Sequence, residues 1–247
     1  MKMEQVMFDN PQLSNEIGHL TTEGRQYHES RNLTDAIRCY EKAYQLSREL
    51  NNDEVERTCA FNLGAMFIAD GEFSKGLSYL HKATPPNGQK DSNGDGDLFL
   101  NFGLAHEKLG DMNKSLENYE KAFKRYKSFE SGNLELLNQC FNKCIDIYTK
   151  WKKHADAAKL CQEMADVYES NEDGLHRAEK LCEKADHLRR CPGVTREEIL
   201  GAAEECMNVI NTDHPQGDAC LTAGMHLYKY SGLKAIVNNC ALTVSHN

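Results

Sequence analysis

Three cysteines and a histidine form the first candidate for chemistry. Cys140 and Cys144 stand four residues apart, on one face of any helix, and His154 and Cys161 follow within the next turns of the pattern. Thiolate and imidazole donors can hold zinc tetrahedrally. Neither a CxxC nor an HxxxH spacing occurs, however, and free cysteine packs well as a small apolar residue. A second candidate lies in the loop Thr84–Gly96, where Asp91-x-Asn93-x-Asp95-Gly96 matches the first half of a calcium loop. Such a loop closes with a bidentate glutamate at its twelfth position, and Phe102 stands there instead. Asp95 or Asp97 is expected to cap a helix, as an acid at its positive end. The neighbouring pairs Glu197-Glu198 and Glu204-Glu205 would point about 100° apart on a helix, not onto one substrate. His106 stands where an aromatic ring is expected and reads as packing. No phosphate-binding glycine loop or nucleophile elbow is present. No catalytic residue, cofactor or metal is therefore expected, and the protein is read as not an enzyme.

What remains is polar chemistry suited to binding. Asn62 and Asn101 occupy equivalent places 39 residues apart, and Lys143 follows in the same register. Asparagine offers both a donor and an acceptor to an extended peptide backbone. It can equally bond its own helix. The single tryptophan, Trp151, lies in Lys150-Trp151-Lys152-Lys153-His154, the most basic spot of an acidic chain. It is either a contact point or packing for a weak helical corner.

These residues must be positioned by helices. The chain has 247 residues, 40% hydrophobic and 27% charged, with a net charge of −9. A basic face of the kind that displaces counterions from nucleic acid is absent, so no nucleic-acid partner is expected. The opening residues lack the apolar run of a secretory signal, and no stretch approaches the about 18 apolar residues of a membrane span. A cytoplasmic protein without membrane insertion is expected. Most of the ten cysteines fall within helical patterns, Cys191 alone standing in a loop before Pro192, so reduced buried thiols are expected.

The clearest helical hairpin is Ala60–Ala83. Phe61, Leu63, Phe67 and Ile68 mark its first helix, Leu77, Leu80 and Ala83 its second, and Gly71 the corner. Gly64 and Gly76 are the small residues expected where the helices touch. Gly24, Gly64 and Gly103 recur at 40 and 39 residues, and Ala43, Ala83 and Ala122 recur at the same intervals. The aromatic or large positions between them are Tyr27, Phe67 and His106, then Tyr40, Leu80 and Tyr119. A fourth, degenerate copy runs through Phe141, Cys144, Tyr148, Ala157 and Cys161, with Ile145 in place of the crossing glycine. Two landmarks holding one period over three copies mark a repeat array, in which each hairpin buries its apolar face against its neighbours. Further helices are expected at Gly174–Arg190, Thr195–Asn211 and Gln216–Tyr230.

These residues resemble the tetratricopeptide-repeat family, and its longer-repeat branch that includes the Pins and LGN-type adaptors. The resemblance implies an all-α, right-handed superhelix of stacked helical hairpins. It implies an N-terminal tail (1–11), four repeats (12–50, 54–86, 96–127, 133–170) and a degenerate region or cap (171–247). It further implies that first helices line a concave groove for a protein or peptide partner. Carried onto this chain, the groove takes Thr21, Thr22 and Arg25; Phe61, Asn62, Ala65 and Ile68; Leu100, Asn101, Leu104 and Lys108; and Asn142, Lys143 and Asp146. The chaperone-tail clamp of the family is not expected. Of its cationic positions only Arg25 keeps a charge, and Asp97 would repel a carboxylate. The expected function is a non-enzymatic adaptor or scaffold. The alternatives are a structural oligomeriser using its C-terminal helices and a metal- or thiol-dependent protein using the cysteine cluster.

Overall fold

The computed structural model describes residues 10–86, 95–128 and 133–213. Among them are ten α-helices and no strand. They are α1 (Pro11–Glu29), α2 (Leu33–Glu49), α3 (Asp53–Ala69), α4 (Phe73–Ala83), α5 (Asp95–Lys108), α6 (Met112–Lys127), α7 (Leu134–Lys150), α8 (His154–Ser170), α9 (Gly174–Arg189) and α10 (Arg196–Asp213). The expected helix at 216–230, and the residues Asp91 and Asn93 of the calcium-like loop, lie outside the described residues.

Short polar residues start the helices and left-handed residues stop them. The side chains of Asn10, Asn32, Asn52, Asp111 and Asp173 each accept a backbone N–H of the first turn, which satisfies a donor that the helix itself cannot. Thr195 and Glu198 form a reciprocal capping box, each side chain accepting the other's backbone N–H, at 3.2 and 2.8 Å. At the corner between α3 and α4 the Glu72 N–H reaches back to Phe67 O, and Gly71 has φ +87°. The same closure recurs at Asn32 to Tyr27, Asp111 to His106, Lys153 to Tyr148 and Asp173 to Tyr168. One αL residue ending a helix in this way is a Schellman turn. Glycine supplies it at Gly71 and Gly110, but Arg31, Lys152 and Glu172 adopt it at φ 62°, 56° and 56°.

Two compact units divide the chain within α7: Met1–Cys140 and Phe141–Asn247. In the first unit α1 packs on α2, α3 on α4 and α5 on α6, and the hairpins join through α2–α3, α4–α5 and α3–α5 contacts. In the second, α8 packs on α9 and α9 on α10.

The crossings depend on missing side chains, as the spacing of small residues led us to expect. A Cβ on Gly64 would stand 3.2 Å from Gly76 O, and one on Gly76 would stand 3.1 Å from Gly64 O. A Cβ on Gly103 would meet the Tyr119 ring at 2.6 Å, and one on Gly24 the Tyr40 ring at 3.0 Å. At the α5–α6 crossing the buried Ser115 hydroxyl donates to Gly103 O at 3.0 Å, so a polar atom inside the contact is satisfied. Leu63, Leu80 and Tyr119 are fully buried around these crossings. In the fourth repeat Phe141, Cys144, Tyr148, Ala157, Cys161 and Met164 are all buried, and Ile145 is half-buried.

Candidate functional site

The cysteines are core residues. Cys140, Cys144 and Cys161 are fully buried, and all eight described cysteines are free thiols. Burial pushes the Cys140 thiol up to about 12, and Cys161 is raised still further by burial and then by Glu183. Thiolate is the nucleophilic and metal-binding form, so these groups are held in their unreactive state. Among the described residues, no three His, Cys, Asp or Glu side chains are grouped so as to hold a metal ion.

The acids at the start of α5, both in its first turn, also interact with α6. Asp95 is buried, its carboxyl raised by desolvation, with Arg125 3.9 Å away. Asp97 accepts the Tyr126 hydroxyl at 2.5 Å. Tyr119 likewise donates to Glu107 at 2.5 Å and Tyr44 to Glu56 at 3.3 Å. In each case a tyrosine on the second helix of one hairpin ties a carboxylate on a first helix. Burial, and then these bonds, raise the Tyr119 and Tyr126 phenols. Sequence spacing alone did not reveal these ties, because the partners are up to 29 residues apart.

The sequence-derived groove residues divide into three groups. Ile68 and Leu100 are buried, at 8% and 6% exposure. Ile68 lies over Gly76, where an added Cβ would come within 2.6 Å of its Cγ1. Both are core residues, a correction to the expectation that they contact a partner. Phe61, Asn62, Ala65, Asn101, Leu104 and Lys143 are half-buried, and Arg25 and Lys108 are exposed. Thr21 is half-buried with its hydroxyl donated to Ile17 O, and Thr22 donates to Gly18 O. Asn142 and Asp146 are exposed.

The direct α3–α5 contact sets the first helices of repeats two and three side by side. That placement brings the Phe61–Ala65 stretch of α3 and the Asn101–Leu104 stretch of α5 onto neighbouring helices of one unit. The two asparagines are not equivalent there. The Asn101 amide donates to Asp97 O, one turn back in its own helix, at 2.8 Å. No hydrogen bond forms to the Asn62 amide among the described residues.

The second unit holds a pair that sequence reasoning missed. His154, at the start of α8, and His187, near the end of α9, approach with their Nδ1 atoms 3.3 Å apart. Their ring centroids are 5.6 Å apart, so the rings meet nitrogen to nitrogen. One ring donates and the other accepts, and two imidazolium rings would oppose N–H to N–H. Burial lowers the affinity of His187 for a proton, Asp186 opposes this, and His154 and Arg190 add to it. The 33-residue separation leaves no periodic signal for this contact. His106 is also held below its ordinary value by burial, as suits a packed ring.

Comparisons with known proteins agree with this architecture. Residues 87–190 match the model of the family described as soluble NSF attachment protein, SNAP. A 108-residue stretch is 27% identical to the heat shock protein STI1 of Saccharomyces cerevisiae, covering 43% of this chain and 17% of that protein. The chain thus spans only a small part of this relative. Nearly identical TPR-like repeats from a Podosopora anserina kinesin light chain-type protein superpose with a TM-score of 0.53 at 11% identity, over 81% of this chain and 97% of that one. The TPR2AB domain of yeast Sti1, in its complex with pHSP90, is a looser likeness, with a TM-score of 0.44 at 18% identity over 94% and 96% of the two chains. The fold is thus that of TPR-like helical repeats, all-α and built from stacked hairpins.

Proposed function

We propose that the protein is a non-enzymatic adaptor that holds a peptide segment of a cytoplasmic partner across α3 and α5. The observation that carries this reading is the state of Asn62. Asn62 is half-buried, between half-buried Phe61 and Ala65, and its amide has no hydrogen-bond partner among the described residues. An extended peptide would satisfy both halves of that amide through its backbone, while Phe61, Ala65 and Leu104 take its side chains. Asn101 contributes its carbonyl oxygen and its second amide N–H, the first being donated to Asp97 O. Arg25 and Lys108 set charge preferences at the margins. Asp97 is tied to Tyr126 and keeps an acid beside the site, which disfavours a C-terminal carboxylate as the ligand. The match to a family named for an attachment protein supports a role in joining proteins.

Selection from a random-peptide display library tests this. Peptides that bind the wild-type chain should lose about tenfold in affinity against Asn62→Ala/Asn101→Ala, as for about 1.4 kcal/mol of lost hydrogen bonding. Helicity by circular dichroism should stay unchanged. Peptides that bind the double variant equally well would refute the groove.

A further inference from the structure

We infer that the end of the second unit where α8 begins and α9 stops is a docking edge for a short acidic peptide segment. It belongs to the second unit, whereas α3 and α5 belong to the first. Lys150 closes α7, Trp151 and Lys152 form the turn, and Lys153 precedes α8. The three lysines are exposed, Trp151 is half-buried, and the Lys153 ammonium stands 5.2 Å from the indole centroid. The His154–His187 contact at 3.3 Å places the end of α9 against this turn. It thereby adds exposed Arg189 and Arg190 to the same edge.

This edge concentrates positive charge in a chain that is acidic as a whole. Lys42, Lys75, Lys114 and Lys121 each hold a carboxylate within 3.2 Å. Lys150, Lys152 and Lys153 make no ion pair among the described residues. Arg189 and Arg190 both bind the carboxylate of buried Asp186, at 2.9 and 2.6 Å. The acids nearest in sequence are exposed Asp146, one turn before Lys150, Asp156 in the first turn of α8, and Glu197 and Glu198 opening α10. Glu198 is already bound to Thr195.

A peptide is the occupant that fits this footprint. The patch spans one turn and one helix end, and the chain as a whole carries −9. Anionic membranes and nucleic acids are extended polyanions, and the net charge would repel them over distances beyond the patch itself. A short Asp/Glu segment lies within one Debye length of the lysines, about 8 Å at physiological salt, and meets mainly local charge. Half-buried Trp151 offers an apolar surface beside the cations, the composition favoured at binding hot spots.

Trp151 is the single tryptophan, so its emission reports on this edge alone. The test titrates the full chain into labelled deca-glutamate, reading anisotropy for binding and Trp151 emission for location. We expect saturable binding, a change in emission, weakening with added salt, and at least about tenfold loss in Lys150→Glu/Lys152→Glu/Lys153→Glu. Lys150→Gln/Lys152→Gln/Lys153→Gln should lose less and gives the same reading should charge reversal disturb folding. Deca-glutamine should not bind. Four results would each overturn the inference: no binding of deca-glutamate, binding without a change at Trp151, equal binding by both variants, or tighter binding to phosphatidylserine vesicles or to RNA than to the peptide.

Discussion

A single missing Cβ decides whether two helices can touch. Gly103 faces the Tyr119 ring at a distance no real Cβ tolerates, and that ring cannot swing away because its hydroxyl is bonded to Glu107. Gly103→Ala should therefore cost about 1–3 kcal/mol by overpacking. Gly18 and Gly201 lie mid-helix with open space around the missing Cβ, so Gly18→Ala and Gly201→Ala should each gain about 0.5–1 kcal/mol. Urea unfolding of the three variants checks both signs. Equal effects at Gly103 and Gly18 would show that helix propensity, not contact, governs these sites. Motif position alone singled out Gly24, Gly64 and Gly103, because a repeat places the same steric demand at the same interval. The same reasoning failed for Ile68 and Leu100. Their places on first helices suggested a groove, whereas apolar bulk sends both into the core.

The helical corners repeat a backbone shape more faithfully than they repeat a residue. Five turns close with the same long backbone bond, and glycine supplies the left-handed residue in only two of them. A non-glycine residue there carries about 1–2 kcal/mol of strain, partly offset by the smaller entropy of its unfolded chain. Glu172→Gly should accordingly raise stability by about 0.5–1 kcal/mol. The exposed Glu172 side chain makes no ion pair among the described residues, so little else changes. A fall in thermal midpoint would mean that the φ of 56° is unstrained. The elements themselves were largely legible, since periodicity and caps act locally: α9 and α10 fall close to where their patterns place them. Starts were less so within the hairpins. α3 begins at Asp53, where the repeat was expected to open at residue 54, but well ahead of the Ala60–Ala83 stretch that marked its hairpin, because Asn52 caps a polar first turn that hydropathy does not mark. Likewise α5 takes in Asp95 and Gly96, which looked like loop. Their burial against Tyr126 depends on a partner distant in sequence.

At the scale of the molecule, the two units carry different sensitivities. His187 is buried and binds a proton less readily when folded than its ordinary value of about 6.5. Its neutral form is therefore favoured in the native state, and the unfolded chain takes up more protons. The stability of the second unit should be full above about pH 6.5 and fall as pH drops through the window beneath it. Trp151 emission during urea unfolding reads this unit, with a midpoint expected to decrease between about pH 7.5 and pH 5.5. His187→Gln should flatten that dependence, and an identical slope in the variant would rule His187 out as its source.

The tyrosine ties have a further consequence, for regulation by modification. Tyr119 and Tyr126 are buried with their hydroxyls already committed to Glu107 and Asp97. A kinase can meet these hydroxyls only on a chain whose hairpins have opened. A phosphate placed there brings nearly two negative charges to a site that must close against a carboxylate. The folded array thus hides these tyrosines, and a chain marked while open would be kept from closing again.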